Sequence, residues 1–199
     1  MKMSVRTKFV MSVAMVFLAG TCHAAQDVDF VEGELIRFTG DPTSPNGAWC
    51  WFQDERVIVD ADHPDEPMLM FTAISASEED KAERGDLDLH WLGLESLESG
   101  VVDLHDRLGQ DDHNVAALFQ LDSGQTLAAY ARHNKDKYTY SRVSAAHNPA
   151  TWSDAVVFKG VAKSTYNNLL TAGTGEAKRL LNFSRLQGWD PNFLAYDTK

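Results

Sequence analysis

The sequence predicts an all-β protein, a β-propeller of four-stranded antiparallel blades of which this chain holds about three. Three observations predict it. Apolar and β-branched runs of four to seven residues recur between clusters of Gly, Asp, Asn and Ser, which is how strands joined by turns are written. No apolar period near that of a helix persists beyond about two turns. One stretch of chain also aligns on a later one at a constant offset of 53 residues, close to the repeat length of a propeller blade.

The elements follow in order from the N-terminus. Lys2, Arg6 and Lys8 precede an apolar stretch over 9–20 and the small-residue junction Cys22-His23-Ala24-Ala25. This tripartite pattern predicts a signal peptide over 1–24, cut after Ala24 and too short to span a bilayer stably. The segment lacks the polar second face of an N-terminal core helix. Leu18-Ala19-Gly20-Thr21-Cys22 makes a poor lipoprotein box, because Thr21 stands where Gly or Ala is expected. The mature chain, 25–199, is therefore expected to be secreted or periplasmic. Its formal charge moves from −11 to −14 as three cations leave, which speaks for solubility and against nucleic acid or an anionic membrane as partner. An anionic substrate in a locally basic cleft stays compatible with it. Cys50 is then the one remaining cysteine, inside the apolar run Ala48-Trp49-Cys50-Trp51-Phe52, and reads as a buried thiol with no disulfide partner.

Four strands are expected at 57–59, 68–74, 87–94 and 101–104, with an acidic loop over 75–85 that carries Glu78, Glu79, Asp80 and Glu83. A second group follows at 115–121, 126–131, 138–143 and 155–158, and a third at 167–171, 179–183 and 192–196. The blades then run over about 48–105, 112–160 and 165–199. Asp112-His113-Asn114 aligns on Thr165-Tyr166-Asn167, and Ala131-Arg132-His133 on Ser184-Arg185-Leu186. The turn Asp122-Ser123-Gly124 falls within one residue of 174–176 at that offset, where a hairpin must reverse. The first group, with Gln53-Asp54-Glu55 ahead of it, fits more loosely. A β-sandwich, the rival architecture, gives no reason for a repeated offset. Propellers close with about four to eight blades, so the expectation is a truncated product or a partial record of a longer protein, whose unfinished blade faces are open to oligomerisation.

In a propeller the chain enters each innermost strand at one mouth of the central channel. His113 and Tyr166 hold equivalent positions there, and Arg132 and Arg185 end the second strands. Consecutive strands are antiparallel, so these ends share a side. His113, His133, Tyr166 and Arg185 are therefore expected to converge.

The motifs Gly47-Ala48-Trp49-Cys50-Trp51-Phe52-Gln53-Asp54, Asp111-Asp112-His113-Asn114, Tyr130-Ala131-Arg132-His133-Asn134 and Tyr166-Asn167-Asn168 together resemble BNR-repeat propellers, in particular the ulvan lyases of polysaccharide lyase families 24 and 25. The resemblance covers about Gly47 to Lys199, and it lies in the order and spacing of short motifs. It implies a seven-bladed propeller that cuts a sulfated, uronate-containing algal polysaccharide by β-elimination. It implies catalytic roles for His113, His133, Tyr166 and Arg185. Asn114, Arg132, Asn134 and Asn167, their neighbours in the same motifs, are the expected substrate contacts.

Those residue types suit the chemistry. Removing the C5 proton of a uronate builds charge beside an ionised carboxylate, so a cation such as Arg185 must neutralise it. A base must reach C5 and an acid must protonate the departing O4. Histidine titrates nearest to working pH, which suits His113 to the base or to an acid partnered with Tyr166. A phenol, with an ordinary pKa of about 10, serves only if a neighbouring arginine lowers it. Two further readings stay open: a rhamnosidase-like glycoside hydrolase on the same scaffold, and an inactive carbohydrate-binding fragment.

No cofactor is expected. His63, His90, His105 and His147 lack tight ligand spacing, and Asp111-Asp112 reads as a pair of solvated turn carboxylates, with a structural metal ion left open. Phosphate-loop and nucleophile-elbow motifs are missing. So is the sialidase Asp box, of which Thr151-Trp152-Ser153 keeps just the tryptophan.

Overall fold

A computed structural model describes residues 57–75, 85–187 and 190–196. The expected signal peptide, Cys50 and its motif, and the acidic residues of 76–84 lie outside the described residues. What is described is strand, turn and two short 3₁₀ turns, with no α-helix. Among these residues no helix is long and apolar enough to cross a membrane.

β1 (Val57–Asp60), β2 (Met68–Ile74), β3 (Leu87–Gly93) and β4 (Ser99–His105) form an antiparallel sheet in chain order. β5 (Ala117–Gln120), β6 (Thr126–Ala131), β7 (Tyr138–Ala145), β8 (Asn148–Trp152) and β9 (Val156–Lys159) form the second. β10 (Thr165–Ala172), β11 (Arg179–Gln187) and β12 (Asp190–Tyr196) form the third. The offset of 53 residues separates the start of β6 at Thr126 from that of β11 at Arg179. Gly124, at φ 78, supplies the left-handed residue of the β5–β6 hairpin, a conformation that glycine takes without penalty.

The second sheet differs from the four strands expected. β9 pairs with the first half of β7, Tyr138 to Ser141, and the unforeseen β8 takes the second half at Ser144 and Ala145. Pro149 argues against a strand there, but β8 is an edge strand, where proline's missing N–H is not needed.

The sheets pack face on face. Ile58, Met70, Ile74, Leu87 and Leu89 of the first meet Leu118, Ala128 and Tyr130 of the second. The opposite face of the second, through Ala117, Leu127 and Ala129, meets Leu169 and Leu180 of the third. Every residue of β6 is consequently buried, which explains why Thr-Leu-Ala-Ala-Tyr-Ala shows no apolar alternation. Its alanines let the flanking sheets approach. Tyr130 is the large exception. Burial pushes its phenol up to about 12, and its hydroxyl donates to the Leu104 carbonyl at 3.3 Å, so it remains protonated and structural.

His90 lies on β3 with its ring stacked on Phe71, centroids 4.9 Å apart and planes 8° from parallel. Its Nδ1 is buried and finds no hydrogen-bond partner among the described residues. Burial holds the imidazole below its ordinary value of 6.5, because the charged form loses its hydration. The folded chain therefore binds fewer protons than the unfolded chain as pH falls below 6.5, and stability declines through that window. His90→Phe keeps the stack and cannot protonate. Its melting temperature should fall by visibly less between neutral and mildly acidic pH than that of the wild type. His105, also depressed by burial, preserves part of the slope, and equal slopes in the two proteins would contradict this account.

Candidate functional site

The site begins where the chain crosses from the first sheet to the second. Gly109, at φ 132, turns its carbonyl to accept from Asp111 N at 2.9 Å and from Asn114 Nδ2 at 2.8 Å. Asp111 caps the 3₁₀ turn Asp112–Asn114, its Oδ1 accepting from the His113 backbone N–H at 3.1 Å. A short carboxylate ahead of a helical turn is a favoured cap because the first N–H groups of the turn otherwise lack partners. Downstream, Ala116 N donates to Thr72 Oγ1 at 2.9 Å, and the same hydroxyl donates to the Ala116 carbonyl at 3.1 Å. The turn is thus pinned to β2 before β5 begins.

His133 comes from the turn after β6. Asn114 Oδ1 accepts from its backbone N–H at 2.6 Å. The Asp111 carboxylate then meets both imidazoles, Oδ1 standing 2.7 Å from His113 Nδ1 and Oδ2 3.1 Å from His133 Nδ1. Asp112 Oδ1 lies 2.8 Å from the same His113 nitrogen. An ionised carboxylate accepts and does not donate, so each Nδ1 must carry the proton. In their neutral form both rings then keep the lone pair on Nε2. Burial raises the Asp111 carboxyl, but the hydrogen bonds from the His113 backbone and from the two rings outweigh it. The group is held below its ordinary range.

The rings stack at 4.3 Å between centroids, with 27° between planes. Tyr166 joins them, 5.4 Å from His133 and 5.7 Å from His113. It is the extra residue of a β-bulge, since β10 pairs Thr165 with Arg185 and then Asn167 with Ser184. Its φ of 56 is left-handed, a conformation that costs a tyrosine on the order of 1 kcal/mol. Bulges re-aim side chains in this way beside functional sites. Arg185 Cζ sits 4.9 Å from the Tyr166 ring centroid, within cation–π range. Asn134 N donates to the Ser164 carbonyl at 3.3 Å, holding the His133 turn against the start of β10.

The structure thus brings His113, His133, Tyr166 and Arg185 together. His113 and Tyr166 are not locally equivalent, as the repeat implied: one sits in a 3₁₀ turn and the other on a strand bulge. Two expected substrate contacts need correction. Asn114 is 2% and Asn167 0% exposed, and the Asn167 Oδ1 accepts from Asn182 Nδ2 at 2.8 Å. Both are buried inside the protein, Asn114 in the scaffold of the site and Asn167 with its oxygen in a polar pair of the third sheet. Arg132 is half-buried and pairs with Asp136 at 3.5 Å, and Asn134 is exposed at φ 52, a conformation asparagine tolerates. Asp111, expected to be a solvated turn carboxylate, is the residue that sequence reasoning missed. The signal was present in its place two residues ahead of His113.

No family model matches the chain, and no curated protein matches it. Asn114→Ala should destabilise the fold by about 1–3 kcal/mol, because the His133 N–H loses its partner and the Gly109 carbonyl keeps Asp111 N alone of its two donors. Urea unfolding measures this, and a loss under about 0.5 kcal/mol, the range of an ordinary surface substitution, would contradict the scaffolding role.

Proposed function

We propose that the three sheets are successive blades of a propeller and that the chain is an exported polysaccharide lyase, acting on a sulfated, uronate-containing algal polymer of the ulvan type by β-elimination. The observation that carries this reading is the stack of two histidines and a tyrosine, oriented from one side by Asp111 and partnered by Arg185. The propeller part draws support from the face-to-face succession of sheets and from the outer face of the third. Leu170, Phe183 and Phe193 share that face by register and are 43%, 46% and 63% exposed, the apolar character of a surface that another blade covers.

In the proposed reaction the lone pair on His113 Nε2 removes the C5 proton of the uronate. The electrons of the C5–H bond form the C4–C5 double bond as the C4–O4 bond breaks. The departing O4 takes a proton from the Tyr166 hydroxyl, and His133 stands next to both groups to complete the relay. The substrate carboxylate pairs with Arg185, whose charge offsets what develops during proton removal. Asp111 does not touch the substrate in this scheme; it holds both rings with Nε2 outward, as the buried aspartate of a catalytic triad holds its histidine.

The test is to incubate the full chain with ulvan and follow the ultraviolet absorbance of the unsaturated uronate product. His113→Ala should lower the rate by about 10²-fold or more, the scale of a lost general base. New reducing ends without the absorbance would replace the lyase by a hydrolase, and unchanged turnover in folded His113→Ala would remove His113 from the site.

A further inference from the structure

We propose that Asp111, His113 and His133 bind one divalent transition-metal ion of the zinc class, and that its binding silences the acid–base chemistry of the site. One ligand atom from each of the three lies within 4.8 Å of the other two. The two Nδ1 atoms face opposite oxygens of a single carboxylate, at 2.7 and 3.1 Å, and Asp112 brings a second carboxylate oxygen to 2.8 Å from His113 Nδ1. This is a convergent set of two imidazole nitrogens and two carboxylates. Imidazole with carboxylate suits zinc and its neighbours more than calcium or magnesium, which prefer all-oxygen cages.

The protons now on the two Nδ1 atoms occupy the space a cation would take. Two carboxylates and two neutral imidazoles also balance a double positive charge. Ligands around one tetrahedral zinc at about 2.0–2.1 Å stand about 3.3 Å apart, so on binding the wider separations in the set close and the 2.7 Å contact opens. The side chains of His113, Asp111 and His133 are 29%, 27% and 23% exposed, open enough for an ion to enter and close enough to the surface to make that adjustment.

Binding would strip Asp111 from the two rings and fix the imidazoles on the metal. The silencing half of the proposal rests on the lyase reading; the binding half does not. Chelator-stripped full chain should take up zinc in a titration against a chromophoric chelator. Asp111→Asn and His133→Ala should each weaken that uptake by about tenfold or more, since even partners outside the coordination shell are worth that much to a metal site. In the wild type, zinc should shift the imidazole NMR signals of His113 and His133 ahead of those of His63, His90, His105 and His147, a readout that does not depend on a variant folding. Absence of uptake, uptake undiminished in the His113→Ala/His133→Ala double variant, or shifts confined to the other histidines would overturn the site. With ulvan as substrate, zinc should stop product formation as the site fills. An active enzyme unaffected by a filled site would overturn the silencing, whereas a metal-free chain without activity counts against the lyase reading and leaves the zinc titration standing.

Discussion

One carboxylate organises the candidate site of this molecule. Asp111 has two oxygens and uses both, one on each imidazole, while its Oδ1 also caps the turn that carries His113. The rings it holds come from two antiparallel strands at one end of the second sheet, His113 ahead of β5 and His133 after β6. Antiparallel pairing brings near one another two groups that twenty residues of chain separate, and hydrogen bonds to one acceptor fix their rings. The arrangement is affordable because the backbone beneath it is anchored independently: Asn114 ties the turn to His133 and to Gly109, and Thr72 ties Ala116 to the first sheet. Without those anchors the two rings would have to be ordered at the full entropic cost of two mobile loops.

The third sheet completes the site by a different device. A single extra residue in β10 lifts Tyr166 out of the ladder, and the residues on either side, Thr165 and Asn167, stay buried. Arg185 stands across the ladder from Thr165, so the same register that creates the bulge delivers the cation. A local backbone penalty at Tyr166 is thereby held in place by burial and pairing on both sides, as strained residues at functional sites generally are. The chain is acidic overall, with a formal charge of −11, and the cation at this site is local.

Strand positions were largely legible in the sequence because both flanking patterns, apolar runs and turn residues, act over a few residues. The match of β6 to β11 at an offset of 53 residues reflects the same hairpin built twice. β8 was not legible, since Asn148-Pro149 carries turn and strand-breaking chemistry, and just the edge position makes it tolerable. The histidine pair could be found from its place at two ends of one hairpin. The burial of Asn114 and Asn167 could not, because an asparagine in a motif looks the same whether its amide faces substrate or the protein. The sequence presents Asp111 as solvated for a related reason: a carboxylate in a turn is usually that, and the partner that changes its role, His133, is 22 residues away.

Asp111, joined at His113 by Asp112, sets the tautomer of both histidines and leaves two Nε2 lone pairs available. Long-range proton–nitrogen correlation NMR of the imidazole rings tests it directly at a pH where the rings are neutral. His113 and His133 should both carry the proton on Nδ1 in the wild type; His133 should lose that preference in Asp111→Ala, whereas His113, which still faces Asp112 Oδ1 at 2.8 Å, should lose it in Asp111→Ala/Asp112→Ala. Protons found on Nε2 in the wild type, or a His133 tautomer preference that survives the loss of Asp111, would contradict it.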